Sequence, residues 1–345
     1  MTKRENFIKA HTARLAQEYS GILSSQKKGL YPTELSMPIG LQFELTAKCN
    51  LSCKHCYNNS SFNRESTMTL DDWEMVVNDI IANGGIFQCI LSGGEPLLMG
   101  HNMVEQIMKP LSNDGTAFVL ITNGFLVDQT WVKEFKNFNF YWVQVSIDHL
   151  LSEKHDEFRG IKGSWENATK AALMFSSAGL PLRIAHSLTP ESLDYLPDFA
   201  EFAYQLGASS IVCGEIMLSG RASQNRNLLM NDNDYEKMYD LITKLQKEYQ
   251  GKMAVMTSTP ELIEMKHRQK TLNTSMIIRP DGNVRLDCTM PFYIGNVLKQ
   301  RFSEIWKEKG NFCWKDPKVI EYINNLEKNG HNIKHVNHVN QDIYI

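Results

Sequence analysis

Three cysteines close together in the chain carry the first chemistry that the sequence suggests. Cys49, Cys53 and Cys56 follow a C-x3-C-x2-C spacing. Each thiolate can bind one iron of a [4Fe–4S] cluster, and the fourth iron then lacks a protein ligand and stays open to a substrate or cofactor. Zinc is an alternative, because Cys53 and Cys56 form a C-x2-C pair. Most zinc sites need a second such pair and none follows here, but spacing alone leaves both metals open.

A second candidate motif is Ser92-Gly93-Gly94-Glu95-Pro96, which directly follows a predicted strand. Glycines lack a Cβ atom and let the backbone approach a ligand closely. The Glu95 carboxylate is suited to binding an ammonium group. Taken alone, the same residues are also typical of a plain turn.

The cysteine spacing, the Tyr57 that follows it and the Ser-Gly-Gly-Glu-Pro segment, in this order, resemble the radical S-adenosylmethionine (SAM) superfamily. The resemblance implies that Cys49, Cys53 and Cys56 hold a [4Fe–4S] cluster and that SAM chelates its open iron. One electron would then cleave SAM to methionine and a 5′-deoxyadenosyl radical, which abstracts a hydrogen atom from the substrate, while the protein positions the cofactors and excludes water. The SAM-binding residues suggested by the resemblance are Tyr57, Gly93, Gly94, Glu95, Ser146 and Asp148.

The composition of the chain limits the other possibilities. Its 345 residues suit a barrel with an appendage, and its 42% hydrophobic content is enough for a large core. A net charge of −3 gives no argument for a nucleic-acid or membrane partner. The first residues lack the apolar core of a signal peptide, and no apolar run approaches the ~18 residues needed to cross a bilayer. Seven cysteines without an export signal argue against a disulfide framework and predict a reduced, cytoplasmic protein.

Alternating strand and helix patterns predict the fold. Apolar segments of strand length are each followed by a helical pattern, and such units build a mostly parallel sheet. We therefore predict an α/β fold over residues 37–250, a partial (β/α)6 TIM-like barrel, preceded by a helical extension over residues 1–36 that packs against it. The polar motifs follow the C-terminal ends of strands, which carry the active site in such barrels. The predicted strands are 39–45, 87–91, 117–121, 141–146, 182–186 and 210–215.

Three further segments extend the resemblance. Ser146-Ile147-Asp148 resembles the segment that contacts the SAM ribose, although Ser146 and Asp148 are equally suited to capping a helix. Residues 155–160, His-Asp-Glu-Phe-Arg-Gly, and residues 220–222, Gly-Arg-Ala, resemble segments that recur in the peptide-modifying branch of the superfamily. The resemblance therefore favours that branch.

Within residues 251–345, Asp281-Gly282, Cys288, Gly295-Asn296 and Ile305-Trp306 follow one another in an order that resembles the SPASM-type C-terminal module of radical SAM maturases. Residues 280–283, Pro-Asp-Gly-Asn, predict a hairpin turn between two short strands. The module usually carries auxiliary iron–sulfur clusters, each of which needs about four ligands. Only Cys288 and Cys313 occur here, so we predict an α+β module without a full auxiliary cluster. The alternative is a partial cluster completed by histidine, water or substrate.

Cys213 lies near the C-terminal end of the sixth predicted strand. A thiol that points into the barrel mouth can donate a hydrogen atom to a substrate radical, as a peptide epimerase requires. The other interpretation is an inert buried cysteine.

The resemblance predicts a radical SAM enzyme that matures a ribosomally made peptide by crosslinking or epimerisation. A small-molecule substrate, such as a sugar, nucleoside or amino acid, is the alternative within the enzyme class. A non-catalytic iron–sulfur or zinc-binding module is a further alternative, against which the Gly-Gly-Glu segment argues. The implied partners are SAM, a precursor peptide and a reductant such as flavodoxin or ferredoxin, with no nucleic acid and no membrane.

Overall fold

A single mixed sheet organises the computed structural model, which describes residues 3–258, 261–329 and 342–345. The described residues form eleven strands in the order β11-β10-β9-β8-β1-β2-β3-β4-β5-β6-β7. The strands are β1 Gly40–Thr46, β2 Gln88–Gly93, β3 Ala117–Thr122, β4 Phe140–Ser146, β5 Leu182–Leu188, β6 Ser210–Glu215, β7 Ala254–Thr257, β8 Ser275–Ile278, β9 Asn283–Arg285, β10 Phe292–Asn296 and β11 Ile343–Tyr344. The α-helices are α1 Lys3–Lys27, α2 Leu70–Ala82, α3 His101–Asn113, α4 Gln129–Phe135, α5 Ser152–Arg159, α6 Ser164–Ser177, α7 Ser192–Gln205, α8 Asp232–Glu248, α9 Glu261–Arg268, α10 Phe302–Ile305 and α11 Pro317–Asn329.

The predicted barrel strands are confirmed. Strands β1 to β6 pair in parallel in chain order, and their ends lie within two residues of the predicted ranges. Helices cover the sheet, so most strand residues are buried, as is usual for parallel strands. This arrangement brings the C-terminal ends of the strands to one edge of the sheet.

Helix α2 illustrates how the local sequence sets the packing. Thr69 and Asp72 form a capping box at its start, with the Thr69 N–H donating to Asp72 Oδ2 over 2.8 Å. The apolar face of the helix then buries Trp73, whose ring lies 5.0 Å from that of Phe43 on β1. The same face also buries Val76, Val77 and Ile80.

The sheet continues past residue 250 at both of its edges. Strand β7 pairs in parallel with β6, and β8 pairs in parallel with β1. Strands β8 and β9 form the predicted antiparallel hairpin, with Gly282 at a φ of +85° in its turn. The domain boundary at residue 250 remains a prediction, and the C-terminal strands join the sheet of the barrel directly.

The helical extension predicted at the N-terminus forms α1, which contacts α8 and α9. Leu15 is its one described side chain that is fully buried, at 8% exposure. No helix in the described ranges is both long enough and apolar enough to cross a bilayer.

Candidate active site

A central cavity of about 440 Å³ opens where the barrel strands end. Its wall contains residues from the segment after β1, from the ends of β2 to β6 and from the C-terminal module. The predicted site residues that line it are Cys49, Cys53, Cys56, Tyr57, Gly93, Gly94 and Ser146. Three predicted residues, Glu95, Asp148 and Cys213, do not line it.

The thiols of the cluster loop, residues 49–56, face hydrogen-bond donors. The Leu51 N–H lies 3.4 Å from Cys49 Sγ, and the Asn123 side-chain amide lies 3.8 Å from the same sulfur. Burial raises the pKa of Cys49 to about 12 and that of Cys53 to about 11. The thiolate forms therefore need a strong positive partner, which bound iron supplies while the thiols release their protons. The donors around the sulfurs fit an iron–sulfur cluster, whose sulfurs accept such hydrogen bonds.

The structure gives no further support for a single bound metal ion. Across residues 3–258, 261–329 and 342–345, no three His, Cys, Asp or Glu side chains are grouped so that they could hold one ion. A cluster makes a different demand, because each thiolate binds its own iron.

One hydroxyl of the cavity wall, Ser60 Oγ, is buried and has no hydrogen-bond partner among the described residues.

Gly93 and Gly94 form a backbone shelf beside the cluster loop. The Gly94 N–H donates to Thr46 O over 2.7 Å, and the Glu95 N–H donates to Lys48 O over 2.9 Å. A Cβ atom at Gly94 would lie 2.5 Å from the carbonyl carbon of Lys48 and closer still to its oxygen. Gly93 has a φ of +129°, a conformation that L-residues rarely adopt. Only glycine fits these positions, because the shelf lies against the backbone of residues 44–48, and its approach to a ligand stays a prediction.

The Glu95 carboxylate points away from the cavity and into the protein. It accepts hydrogen bonds from the Leu97 N–H at 3.2 Å, from Thr122 Oγ1 at 2.8 Å and from the Asn123 N–H at 2.8 Å. Burial raises the pKa of Glu95 to about 7, against the opposing effect of these donors. The predicted direct contact between this carboxylate and the SAM ammonium does not fit this orientation. Glu95 instead ties the glycine shelf to the end of β3.

Ser146 and Asp148, the two residues predicted to contact the SAM ribose, lie in different surroundings in the structure. Ser146 ends β4 and lines the central cavity. Asp148 is buried and accepts hydrogen bonds from Arg159 at 2.6 Å and from the Ser187 N–H at 2.8 Å. Burial opposes its ionisation, but the Arg159 guanidinium holds the pKa of Asp148 well below its usual range. The carboxylate is thus engaged within the protein, which does not fit the predicted ribose contact.

Tyr57 lines the cavity and connects it to the C-terminal module. Its hydroxyl donates to Glu44 Oε1 over 3.2 Å, and Arg279 Nε lies 3.7 Å from Glu44 Oε2. Burial, together with the nearby Glu44 carboxylate, raises the pKa of Tyr57 well above its usual value. Tyr57 therefore remains a hydrogen-bond donor, and the C-terminal module reaches the cluster loop through this network.

The cysteines outside the cluster loop are placed differently from what the hydrogen-donor prediction required. Cys213 lies in the hydrophobic core, while its strand neighbours Val212 and Gly214 line the cavity. Because side chains alternate along a strand, the Cys213 thiol points to the opposite face, and the predicted hydrogen-donor role does not fit its position. Cys288 lines the cavity instead, with its sulfur 3.7 Å from Met217 Sδ. Cys313 is buried elsewhere, with its sulfur 3.3 Å from Gly310 O.

Two arginines that contact the cluster loop were not assigned roles from the sequence. Arg159 Nη1 lies 4.0 Å from Cys53 Sγ, and Arg221 Nε donates to Cys53 O over 2.7 Å. Arg159 lies in segment 155–160 and Arg221 lies in segment 220–222. The resemblance of these two segments to the peptide-modifying branch was the signal in the sequence that could have identified both arginines. The spacing in the sequence gave no indication of what they contact.

Known protein families match two parts of this chain. The model of the radical SAM superfamily matches residues 43–203, and a model described as an iron–sulfur cluster-binding domain, SPASM, matches residues 270–329. The first match contains the cluster loop and the glycine shelf. The second contains the β8–β9 hairpin and both C-terminal cysteines.

Several curated proteins are similar in sequence. The antilisterial bacteriocin subtilosin biosynthesis protein AlbA of Bacillus subtilis is 27% identical over 281 residues, which cover 79% of this chain but only 60% of AlbA. The AdoMet-dependent heme synthase of Methanosarcina barkeri is 25% identical over 304 residues, which cover 81% of this chain and 86% of that protein. This chain therefore spans less than two thirds of AlbA and most of the heme synthase.

Solved structures share the fold. Streptococcus suis SuiB bound to S-adenosylmethionine superposes with a TM-score of 0.65 at 16% identity, covering 86% of this chain and 71% of SuiB. Native anSMEcpe with bound AdoMet gives a TM-score of 0.65 at 18% identity and covers 83% of each chain. These structures share the fold of this chain, and the family models find a radical SAM domain over residues 43–203 and a SPASM domain over residues 270–329.

Proposed function

We propose that this protein binds a [4Fe–4S] cluster through Cys49, Cys53 and Cys56 and uses SAM to modify a ribosomally made peptide. The observation that carries the proposal is that the three cysteines and the glycine shelf line one cavity at the C-terminal ends of the parallel strands. Cluster and SAM, when bound, supply a carbon-centred radical that removes a hydrogen atom from the substrate. A reductant such as flavodoxin or ferredoxin and the reducing cytoplasm suit this chemistry.

The residues of the chain would bind and orient these groups. Backbone atoms of Gly93 and Gly94 would contact the methionine part of SAM, because no side chain separates them from the cavity. Tyr57 and Ser146 add hydroxyl groups to the same wall. Strands and loops line the cavity, and a substrate bound at its mouth would keep bulk water from the reacting atoms.

The relatives support a peptide as substrate. Besides AlbA, they include the sporulation killing factor maturation protein SkfB of Bacillus subtilis and the PqqA peptide cyclase of Granulibacter bethesdensis. One of the similar structures is SuiB bound to its precursor peptide SuiA. Whether the peptide is crosslinked or epimerised depends on whether a group on the cavity wall donates a hydrogen atom to the substrate radical, as epimerisation requires. Apart from the three proposed cluster ligands, Cys288 is the thiol among the described residues that lines that wall.

A small-molecule substrate is the second candidate, and one observation favours it. The heme synthase of Methanosarcina barkeri aligns over 86% of its own length, more than AlbA does, and the Fe-coproporphyrin III synthase of the same organism also matches this chain. A tetrapyrrole would then occupy the mouth of the cavity in place of a peptide.

Iron analysis tests the central proposal. The wild type and a variant with Cys49, Cys53 and Cys56 all changed to Ala are reconstituted anaerobically, and iron, sulfide and 5′-deoxyadenosine are measured. About four irons per wild-type chain and none in the variant, with SAM cleavage only in the wild type, would support the proposal. About eight irons in the wild type and four in the variant would reveal an auxiliary cluster and contradict the metal-free C-terminal module. Zinc in place of iron would reject the central assignment.

A titration separates the two substrate classes. Fe-coproporphyrin III is added to the reconstituted protein, and visible absorbance and the rate of SAM cleavage are followed. Stoichiometric binding that accelerates SAM cleavage would favour the tetrapyrrole. No binding, together with a mass change in a co-expressed precursor peptide, would favour the peptide.

A further inference from the structure

The last turn of α5 packs against the cluster loop. The Lys54 N–H donates to Phe158 O over 2.9 Å, and the Ser52 N–H donates to Arg159 O over 3.2 Å. Gly160, with a φ of +78°, ends the helix so close to Ser52 that a Cβ atom there would lie 2.9 Å from the Ser52 carbonyl oxygen. The segment 155–160 therefore fixes the backbone on both sides of the second cluster cysteine, Cys53.

The same turn aims a permanent positive charge at a cluster sulfur. Arg159 Nε and Nη2 each lie 2.6 Å from Asp148 Oδ2, and its Nη1 lies 4.0 Å from Cys53 Sγ. Both partners are buried, with 9% of the arginine side chain and 2% of the aspartate side chain exposed. Asp148 is itself fixed by the Ser187 N–H. The planar guanidinium contacts the carboxylate through one edge and, because its donors are in a fixed fork geometry, still presents Nη1 to the sulfur.

Such a charge affects how readily a cluster accepts an electron. The reduction potential of an iron–sulfur cluster depends on hydrogen bonds to its sulfurs, on nearby charge and on exposure to solvent. A buried charge is weakly screened, so its effect on the cluster is larger than that of a surface lysine. Arginine keeps its proton at any working pH. Asp148 lies on the far side of the guanidinium from Cys53, and its negative charge opposes the effect only in part.

We propose that Arg159, oriented by Asp148, is a positioning residue that raises the reduction potential of the cluster held by Cys49, Cys53 and Cys56. The inference rests on the proposed cluster. In the step concerned, one electron passes from an external low-potential donor to the cluster, and the guanidinium neither gains nor loses a proton. Asp148 thus has a role toward the cluster in place of the predicted contact with the SAM ribose.

Arg221 provides a comparison, because its guanidinium holds the same loop through oxygen acceptors and not through a sulfur. Its Nε donates to Cys53 O over 2.7 Å, and its Nη1 donates to Ser60 O over 2.8 Å. Its own N–H donates to Cys56 O over 2.9 Å. Replacing this side chain tests what loop support contributes, together with a positive charge that is not directed at a sulfur.

The experiment is a redox titration of the reconstituted protein, monitored by electron paramagnetic resonance with dithionite as reductant and without SAM. Omitting SAM removes any effect on SAM binding. We expect Arg159→Gln to lower the equilibrium constant for reduction about tenfold, which corresponds to about 59 mV for a one-electron couple. Asp148→Asn should shift the potential upward, because the arginine charge is then uncompensated. Arg221→Gln should lower the potential by less than Arg159→Gln does, because the Arg221 guanidinium hydrogen-bonds to the loop backbone and makes no sulfur contact of this kind.

The double variant Asp148→Asn with Arg159→Gln guards against a folding failure, since it leaves no unpaired charge in the interior. It should bind the wild-type amount of iron and titrate at a lower potential. Wild-type potentials in both Arg159 variants would overturn the inference, as would an equal downward shift in Arg221→Gln or a downward shift in Asp148→Asn. A wild-type protein that binds no cluster would instead reject the proposed function, so the two failures are distinguishable.

Discussion

Replacing Gly94 with alanine tests whether the glycine shelf must remain bare for SAM to bind. The added methyl group would meet the backbone of the segment that leads into the cluster loop, at 2.5 Å from the carbonyl carbon of Lys48 and 3.0 Å from Ala47 O. Real Cβ atoms essentially never approach other atoms within 3.0 Å. The clash is with backbone, so no flexible side chain can move aside, and the shelf or the loop must shift.

The size of the effect follows from what must move. Overpacking of this kind costs about 1–3 kcal/mol. The shift also strains two hydrogen bonds, from the Gly94 N–H to Thr46 O at 2.7 Å and from the Glu95 N–H to Lys48 O at 2.9 Å, each worth roughly 1 kcal/mol. We therefore expect the free energy of unfolding to fall by about 3 kcal/mol. SAM affinity should fall at least tenfold, equivalent to about 1.4 kcal/mol.

Gly214 offers a matched control in the same cavity. It lines the cavity at the end of β6, and a Cβ atom there would meet nothing within 4 Å. Unfolding in urea and equilibrium dialysis of labelled SAM against the reconstituted protein compare Gly94→Ala with Gly214→Ala. The control should keep both wild-type stability and SAM affinity within a factor of about two. If Gly94→Ala binds SAM as well as the control does, the shelf is not the SAM contact and the reasoning is refuted.

Three further predictions concern groups around the cavity and the C-terminal module. Burial and the nearby carboxylates raise the pKa of Glu261 to about 7, so its ionised form is disfavoured in the folded state and stability should fall as pH rises from 4.5 to 7. Glu261→Gln should flatten this part of the curve in thermal unfolding, and an unchanged pH profile would contradict the assignment. Asp342 lies 3.6 Å from Arg279 Nη1, and both side chains are largely buried. Asp342→Ala should therefore lower the free energy of unfolding in urea by about 3 kcal/mol, whereas a loss below about 0.5 kcal/mol would show that the network is solvated. Cys288→Ala should retain SAM cleavage but change the product profile by mass spectrometry, whereas Cys213→Ala should not; the reverse pattern would restore Cys213 as the reactive thiol.

Part of the site could be predicted from local sequence because local sequence sets it. The six barrel strands follow from apolar runs of strand length, and their ends were placed within two residues. The cluster loop follows from thiol spacing within eight residues of chain, and the glycine shelf from the need for a backbone without Cβ atoms. Each of these features depends on neighbours in the chain.

The direction of individual side chains could not be predicted in the same way. Cys213 and Val212 are adjacent, yet only Val212 faces the cavity, and shifting a strand by one residue would reverse this. The Glu95 carboxylate was expected to meet SAM, but three donors from other segments hold it inside the protein. No pattern in the chain around Glu95 indicates where those donors lie.

The sequence by itself determined the parallel α/β barrel, the three-cysteine loop and the resemblance of its motifs to the radical SAM superfamily, because these are encoded in local spacing, motif order and periodicity. Only the tertiary structure decided that Asp148 binds Arg159, that Arg159 faces Cys53 and that Cys288 reaches the cavity from the C-terminal module. These contacts join residues from 11 to more than 100 positions apart in the chain. They depend on how strands and helices are arranged in space, which the spacing of residue types along a single sequence does not specify.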